Sequence, residues 1–207
     1  LHIVVVDALR PDQVTSHYPG EVVAKQADVL LINKIHAAGA ANVQSAIDNA
    51  RAANPRARIL RADSPVVLDD ASRVRGRRVL VVDDGPTLTH GGMPYGAGYV
   101  AAVAAGAGEI IDPRVCATPE ILDVFERFPH LGRVLPALGY SPSQRDALRR
   151  TIEASGADIV VAGTPSDLAT VLELRTPVVR ARYGYEDADT PGLAELIDDF
   201  AKQRIEG

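Results

Sequence analysis

The chain has 207 residues, 46% hydrophobic and 24% charged, enough to bury one large core or two small ones. A net charge of −5 excludes a general nucleic-acid binder, and the single cysteine, Cys116, excludes an internal disulfide and suits a reducing cytosol. No apolar run is long enough to span a bilayer and no secretory leader is visible, so the expectation is a cytoplasmic protein without a membrane partner. The only methionine is Met93 and the chain opens directly in an apolar strand, which predicts a piece of something longer.

Chain order begins with a strand over His2–Val6 that ends in Asp7. An acid there can hold Mg²⁺ opposite a triphosphate, as a Walker B residue does, or cap the following turn. A helix over Gly20–Lys25 leads to a strand over Val29–Ile32 and then Asn33-Lys34. Arg supplies nearly all the positive charge, the lysines being Lys25, Lys34 and Lys202, so a Lys at a strand end stands out. P-loop GTPases place Asn-Lys-x-Asp at such a strand end; here the fourth position is His36, and a neutral imidazole cannot replace the carboxylate that selects guanine. The simpler alternative is an amide that closes a turn. After a helix over Ala40–Ala53, a strand over Arg58–Arg61 runs into Ala62-Asp63-Ser64-Pro65, a small-residue loop of the kind that backs a nucleotide base. The Walker A pattern is absent. The stretch Ser64–Gly76 and the Arg73, Arg75, Arg77, Arg78 run read as a solvated connector or as a basic wall for phosphates.

A strand over Arg77–Val82 ends in Asp83-Asp84-Gly85 and opens a glycine-rich stretch containing Gly91, Gly92, Gly96 and Gly98, followed by a helix over Gly98–Ala105. Strand, glycine loop and helix in that order can converge amide N–H groups on an anion, with Thr87, Thr89 and His90 as extra donors; they can equally form a tight structural turn. Beyond a strand over Glu109–Ile111 comes Asp112-Pro113-Arg114, where Arg114 can bind a phosphate or pair with Asp112 or Glu109. Further strands are expected at Arg133–Leu135, Ile159–Ala162 and Val178–Tyr183, and helices at Pro119–Phe128, Ser141–Ala154, Pro165–Leu172 and Pro191–Arg204. Thr118-Pro119, Ser141-Pro142, Thr164-Pro165 and Thr190-Pro191 each offer a cap with Pro at the first helical position. Thr164 also stands at a strand end, within reach of a ligand. His2, His17 and His130 have no partner pattern, and neither a zinc spacing nor a nucleophile elbow occurs.

Continuous Val/Ile/Leu strands alternating with helices predict an α/β fold with a doubly wound, mostly parallel sheet, whose ligands sit at the carboxyl ends of its strands. The expected organisation is a nucleotide-binding part over 1–65, a linker over 66–78 and a second α/β domain over 79–207.

The segments Val4–Pro11, Tyr18–Glu21, Ala27–Val29, Ile32–Lys34, Val79–Gly98, Asp112–Arg114, Val134–Ser141 and Gly163–Leu168 together resemble cyclic 2,3-diphosphoglycerate synthetase and its bacterial GTPase-like relatives. The resemblance covers essentially the whole chain and implies the C-terminal half of a P-loop enzyme. It implies closure of a phosphoanhydride between the two phosphates of 2,3-diphosphoglycerate, or chemistry on a related phosphorylated small molecule, at the expense of ATP or GTP. Under it Asp7 and Arg10 are catalytic, Asp7 holds Mg²⁺, and Asn33, Lys34 and Ser64 meet the nucleotide. Thr87, Thr89, His90, Gly91, Gly92, Gly96, Gly98, Arg114 and Thr164 bind phosphate or substrate. A homodimer is compatible with it. The alternative is a nucleotide-switch GTPase, or a metallochaperone-like protein, that binds a partner.

Overall fold

A computed structural model describes residues 1–16, 18–138 and 141–205. In chain order the elements are β1 (Ile3–Asp7), α1 (Gln13–Ser16), α2 (Gly20–Lys25), β2 (Val29–Asn33), α3 (Ile35–Ala53), β3 (Arg58–Asp63), β4 (Val66–Leu68), β5 (Arg78–Asp84), α4 (Gly85–Thr89), α5 (Ala97–Ala104), β6 (Glu109–Ile110), α6 (Pro119–Arg127), β7 (Leu135–Ala137), α7 (Pro142–Ala154), β8 (Ile159–Gly163), α8 (Leu168–Val171), β9 (Val178–Tyr183), β10 (Glu186–Asp187) and α9 (Leu193–Ile205). They form two compact units, one of Leu1–Pro65 with Gly184–Gly207 and one of Val66–Tyr183. The fold is α/β with mostly parallel sheets. None of the described helices is long and apolar enough to cross a membrane.

The first unit has the sheet order β1-β2-β3-β10, the first three strands parallel and β10 antiparallel to β3. Val29–Ile32 of β2 are all buried because both faces of the sheet are covered. Leu30 and Ile32 pack with Val14, Ala24, Ala46 and Ala50 from α1, α2 and α3. Val29 and Leu31 pack with Leu60, Ala62 and, from α9, Leu193 and Leu196. The helix expected from Ala40 starts five residues earlier, at Ile35, and is interrupted at Gly39, whose φ of +74° suits glycine.

The second unit has the order β4-β9-β8-β5-β6, with β7 also paired to β5. Val79–Val82 of β5 are completely buried in its core. Since β8 pairs along one side of β5 from Val79 to Asp83, β6 and β7 share the other side, β6 at its start and β7 at its end. The chain therefore leaves β5 in one direction, through β6 and β7, and then returns to β8 in the other. That reversal creates a crevice at the carboxyl ends of β5, β7 and β8.

The structure corrects three expectations. Residues 66–78 are not a free linker: Val66–Leu68 pair antiparallel with Tyr183, Arg182 and Ala181 of β9, and Arg182 forms an ion pair with Asp69. Residues after Tyr183 belong with the first unit, where Arg61 grips Asp189 through its Nε, Nη2 and backbone N–H. Two of the Pro-based caps are displaced as well. α8 starts at Leu168 under an Asp167 cap and α9 at Leu193, whereas Ser141 forms a full capping box with Gln144 and Thr118 directly precedes α6. Gly139 and Tyr140 of the Leu-Pro-Ala-Leu-Gly-Tyr corner, and His17, lie outside the described residues.

Candidate functional site

Parallel pairing brings the polar ends of β1, β2 and β3 side by side. Asp7 lies level with Asn33, and the next residue of each strand end belongs to the same edge. Lys34 takes a left-handed conformation (φ +64°) between β2 and α3, and its Nζ donates to Asp7 Oδ2 at 2.8 Å. Arg10 Nη2 donates to the same oxygen at 3.0 Å, and the Leu9 N–H donates to Oδ1 at 3.0 Å. Partial burial by itself would raise the Asp7 carboxyl. The hydrogen bonds from Lys34 and Arg10, the Lys34 charge and the Leu9 amide outweigh it and hold the group below the usual carboxylate value. Asn33 Nδ2 donates to Ser64 Oγ at 2.7 Å while its Oδ1 accepts the Lys34 N–H at 2.8 Å, which locks the strand end. Asp7, Arg10, Asn33, Lys34 and Ser64, far apart in sequence, thus share one sheet edge. Sequence reasoning did not single out Asp63, whose carboxylate lies 3.0 Å from His36 Nδ1 and accepts the His36 N–H; its position at the end of β3 was the available signal. A cavity of about 330 Å³ beside β1 is lined by Val4, Asp7, Arg10 and Gln13, among others.

Mg²⁺ does not fit these residues as a metal site of their own. Both Asp7 oxygens are already hydrogen-bonded, two cations flank one of them, and no cluster of three His, Cys, Asp or Glu side chains exists among the described residues.

The glycine-rich stretch of the second unit departs from the expected phosphate cradle. Its first part is a short helix, α4, in which Asp84 Oδ2 accepts from the Thr87 N–H and hydroxyl. Thr89 Oγ1 donates to Gly85 O and lies 3.0 Å from His90 Nδ1. The Gly91 N–H donates to Pro86 O. At the N-terminus of α5 the anion is internal: Asp83, fully buried, accepts from the N–H groups of Gly96 (2.8 Å), Gly98 (2.7 Å) and Tyr99 (3.3 Å). A Cβ on Gly98 would fall 2.7 Å from Asp83 Oδ1, and one on Gly163 would strike that oxygen and the Gly98 nitrogen, so these glycines make room for a carboxylate of the protein itself. Burial pushes the Asp83 carboxyl up, with the Asp84 charge adding to it, against the pull of the three amides. Gly92, exposed with φ +65° and open space around it, keeps only a turn requirement. Arg114 is also committed within the fold: it binds Asp112, Gly132 O and Leu131 O and stacks 4.2 Å over the Phe125 ring. Of the alternatives left open for Arg114, the pairing with Asp112 is the one found.

Thr164 lies instead on a second cavity, about 310 Å³, at the crevice between β5, β7 and β8; Asp84, Ala137, Arg145, Ser166 and Leu168 are among its other walls. Asp84 and Arg145 were not singled out from the sequence, where nothing links positions 61 residues apart.

No protein-family model matches the chain. The chain is similar to Arginine synthetase ArcE of Thermococcus kodakarensis, with 45% identity over 202 residues, which is 98% of this chain and 45% of that protein. It therefore spans about half the length of the curated relative it matches. That name shares the word synthetase with the family resembled above and differs from it in the product named.

Proposed function

We propose that the chain is part of an ATP-dependent synthetase, and that the carboxyl edge of the β1-β2-β3 sheet receives the phosphates of the nucleotide. The observation that carries this reading is the convergence of Lys34 and Arg10 on Asp7. Phosphoryl transfer needs positioning and charge neutralisation more than covalent chemistry. Two cations held by one carboxylate supply both, with Asp7 as the group that fixes their direction. Asn33, braced by Ser64, lies beside them on the side where a base would follow. Mg²⁺ enters this reading only as an ion carried by the phosphates themselves. The similarity to an arginine synthetase supports synthetase chemistry and an amino-acid product in place of a cyclic phosphoanhydride.

A second reading, ring closure in 2,3-diphosphoglycerate, asks for convergent donors around two phosphates in the second unit. Gly91, Gly96 and Gly98 give their amides to Pro86 and Asp83, so the geometry favours a less anionic substrate. The test is ATP consumption by the protein in its full length. Lys34→Met is expected to lower turnover about 100-fold or more, the scale of losing a charge-stabilising group, with the melting temperature moved by only a few degrees. Turnover equal to wild type would overturn the assignment of this edge. Nucleotide hydrolysis indifferent to any amino acid would favour the switch-GTPase alternative.

A further inference from the structure

The cavity at the carboxyl ends of β5, β7 and β8 carries opposite charges on an apolar floor. Asp84 uses only one carboxylate oxygen to cap α4; Oδ1 accepts no hydrogen bond among the described residues. Arg145, in the first turn of α7, makes no ion pair and no side-chain hydrogen bond among the described residues. Buried Leu148, Leu168 and Leu172 line the same cavity, together with Thr164 and Ser166. The volume, about 310 Å³, is at the small end of ligand pockets.

We infer that this cavity binds a small zwitterionic amino acid with an aliphatic spacer and a terminal N–H-rich group. Arg145 takes the α-carboxylate in a bidentate hydrogen bond, the leucines cover the spacer, and Asp84 takes the distal group. The charges are the reason to exclude a bisphosphate: the lining holds one guanidinium and one carboxylate, and the nearby loop amides are already used. The site is located from the cavity alone, while the choice of a guanidino terminus rests on the synthetase reading above.

Binding is measured by calorimetry on the full-length protein without nucleotide, with three probes: L-arginine, agmatine, which lacks the carboxylate, and L-norvaline, which lacks the guanidinium. Wild type is expected to prefer arginine over each of the others by about tenfold or more, the scale of one charged hydrogen bond. Arg145→Ala should abolish the preference over agmatine alone. Asp84→Asn, which keeps a capping side chain, should abolish the preference over norvaline alone. If both variants bind all three probes as wild type does, or if 3-phosphoglycerate displaces arginine more than tenfold better than agmatine does, the assignment fails. Because no nucleotide is present, that failure is distinct from a failure of the Lys34→Met turnover test.

Discussion

Each unit ends a parallel strand in an acid, half-exposed β1 in Asp7 and buried β5 in Asp83, and the two acids do opposite things. Asp7 stands at a half-open edge and holds two cations from neighbouring elements; Asp83 is sealed inside and holds three backbone amides of the next helix. The difference lies in the segment that each strand runs into. After β1 come Leu9, whose backbone N–H donates to Asp7, and exposed Arg10, whose guanidinium does the same. After β5 come α4 and then a glycine-containing turn, where Gly96 and Gly98 let α5 close down on the carboxylate. An acid at a strand end can therefore be an internal anchor, as Asp83 is, or gather counter-charges at the sheet edge, as Asp7 does.

The largest effect expected from this contrast is on Asp83. Asp83→Ala strands three amides and should cost about 4 kcal/mol of stability, taking roughly 1–3 kcal/mol for each buried group left unpaired and discounting the one longer bond. Gly163→Ala, which forces a methyl group against that carboxylate, should cost about 2 kcal/mol. Both are read by urea unfolding. A loss below about 1 kcal/mol for Asp83→Ala would mean that the amides find other partners and that the loop is open to a ligand after all.

The two acids should also differ in the sign of their pH dependence. The folded value of Asp7 is lowered, so its contribution is complete above the unfolded value of about 3.9 and disappears as pH falls through the folded value. The folded value of Asp83 is raised, so its contribution is complete below about pH 3.9 and diminishes as pH rises through the folded value. Unfolding free energies of wild type against Asp7→Asn and Asp83→Asn, followed from pH 3 to 7, should thus diverge in opposite directions. Parallel curves would remove the distinction. The smallest effect belongs to Arg61→Ala, which cuts the tie to Asp189 that fastens the C-terminal segment to β3. The pair is partly exposed, so a loss of about 0.5–1 kcal/mol is expected, weakened by added salt.

The strands with unbroken Val, Ile and Leu runs were legible in the sequence because burial on both faces leaves no polar alternation. Their carboxyl ends were legible too, and with them the gathering of Asp7, Asn33, Lys34 and Ser64. β4 and β10 were not: at three and two residues they have no periodicity to read, and each is defined by a partner more than 100 residues away. The return of α9 to the first unit was hidden for the same reason, since Leu193 and Leu196 advertise burial but not against which sheet. The glycine stretch misled because its amides were counted as available while the acid that takes them, Asp83, was read as the end of a strand. The crevice lined by Asp84 and Arg145 depends on the reversal of strand order, which no local pattern encodes.

Lys34 shows what such an edge demands of the backbone. A left-handed residue other than glycine is strained by roughly 1 kcal/mol, and asparagine or glycine would rest there more comfortably. Evolving this junction toward greater robustness would therefore mean surrendering a positive charge, and a chain that keeps the lysine accepts a weaker joint in order to aim an ammonium group.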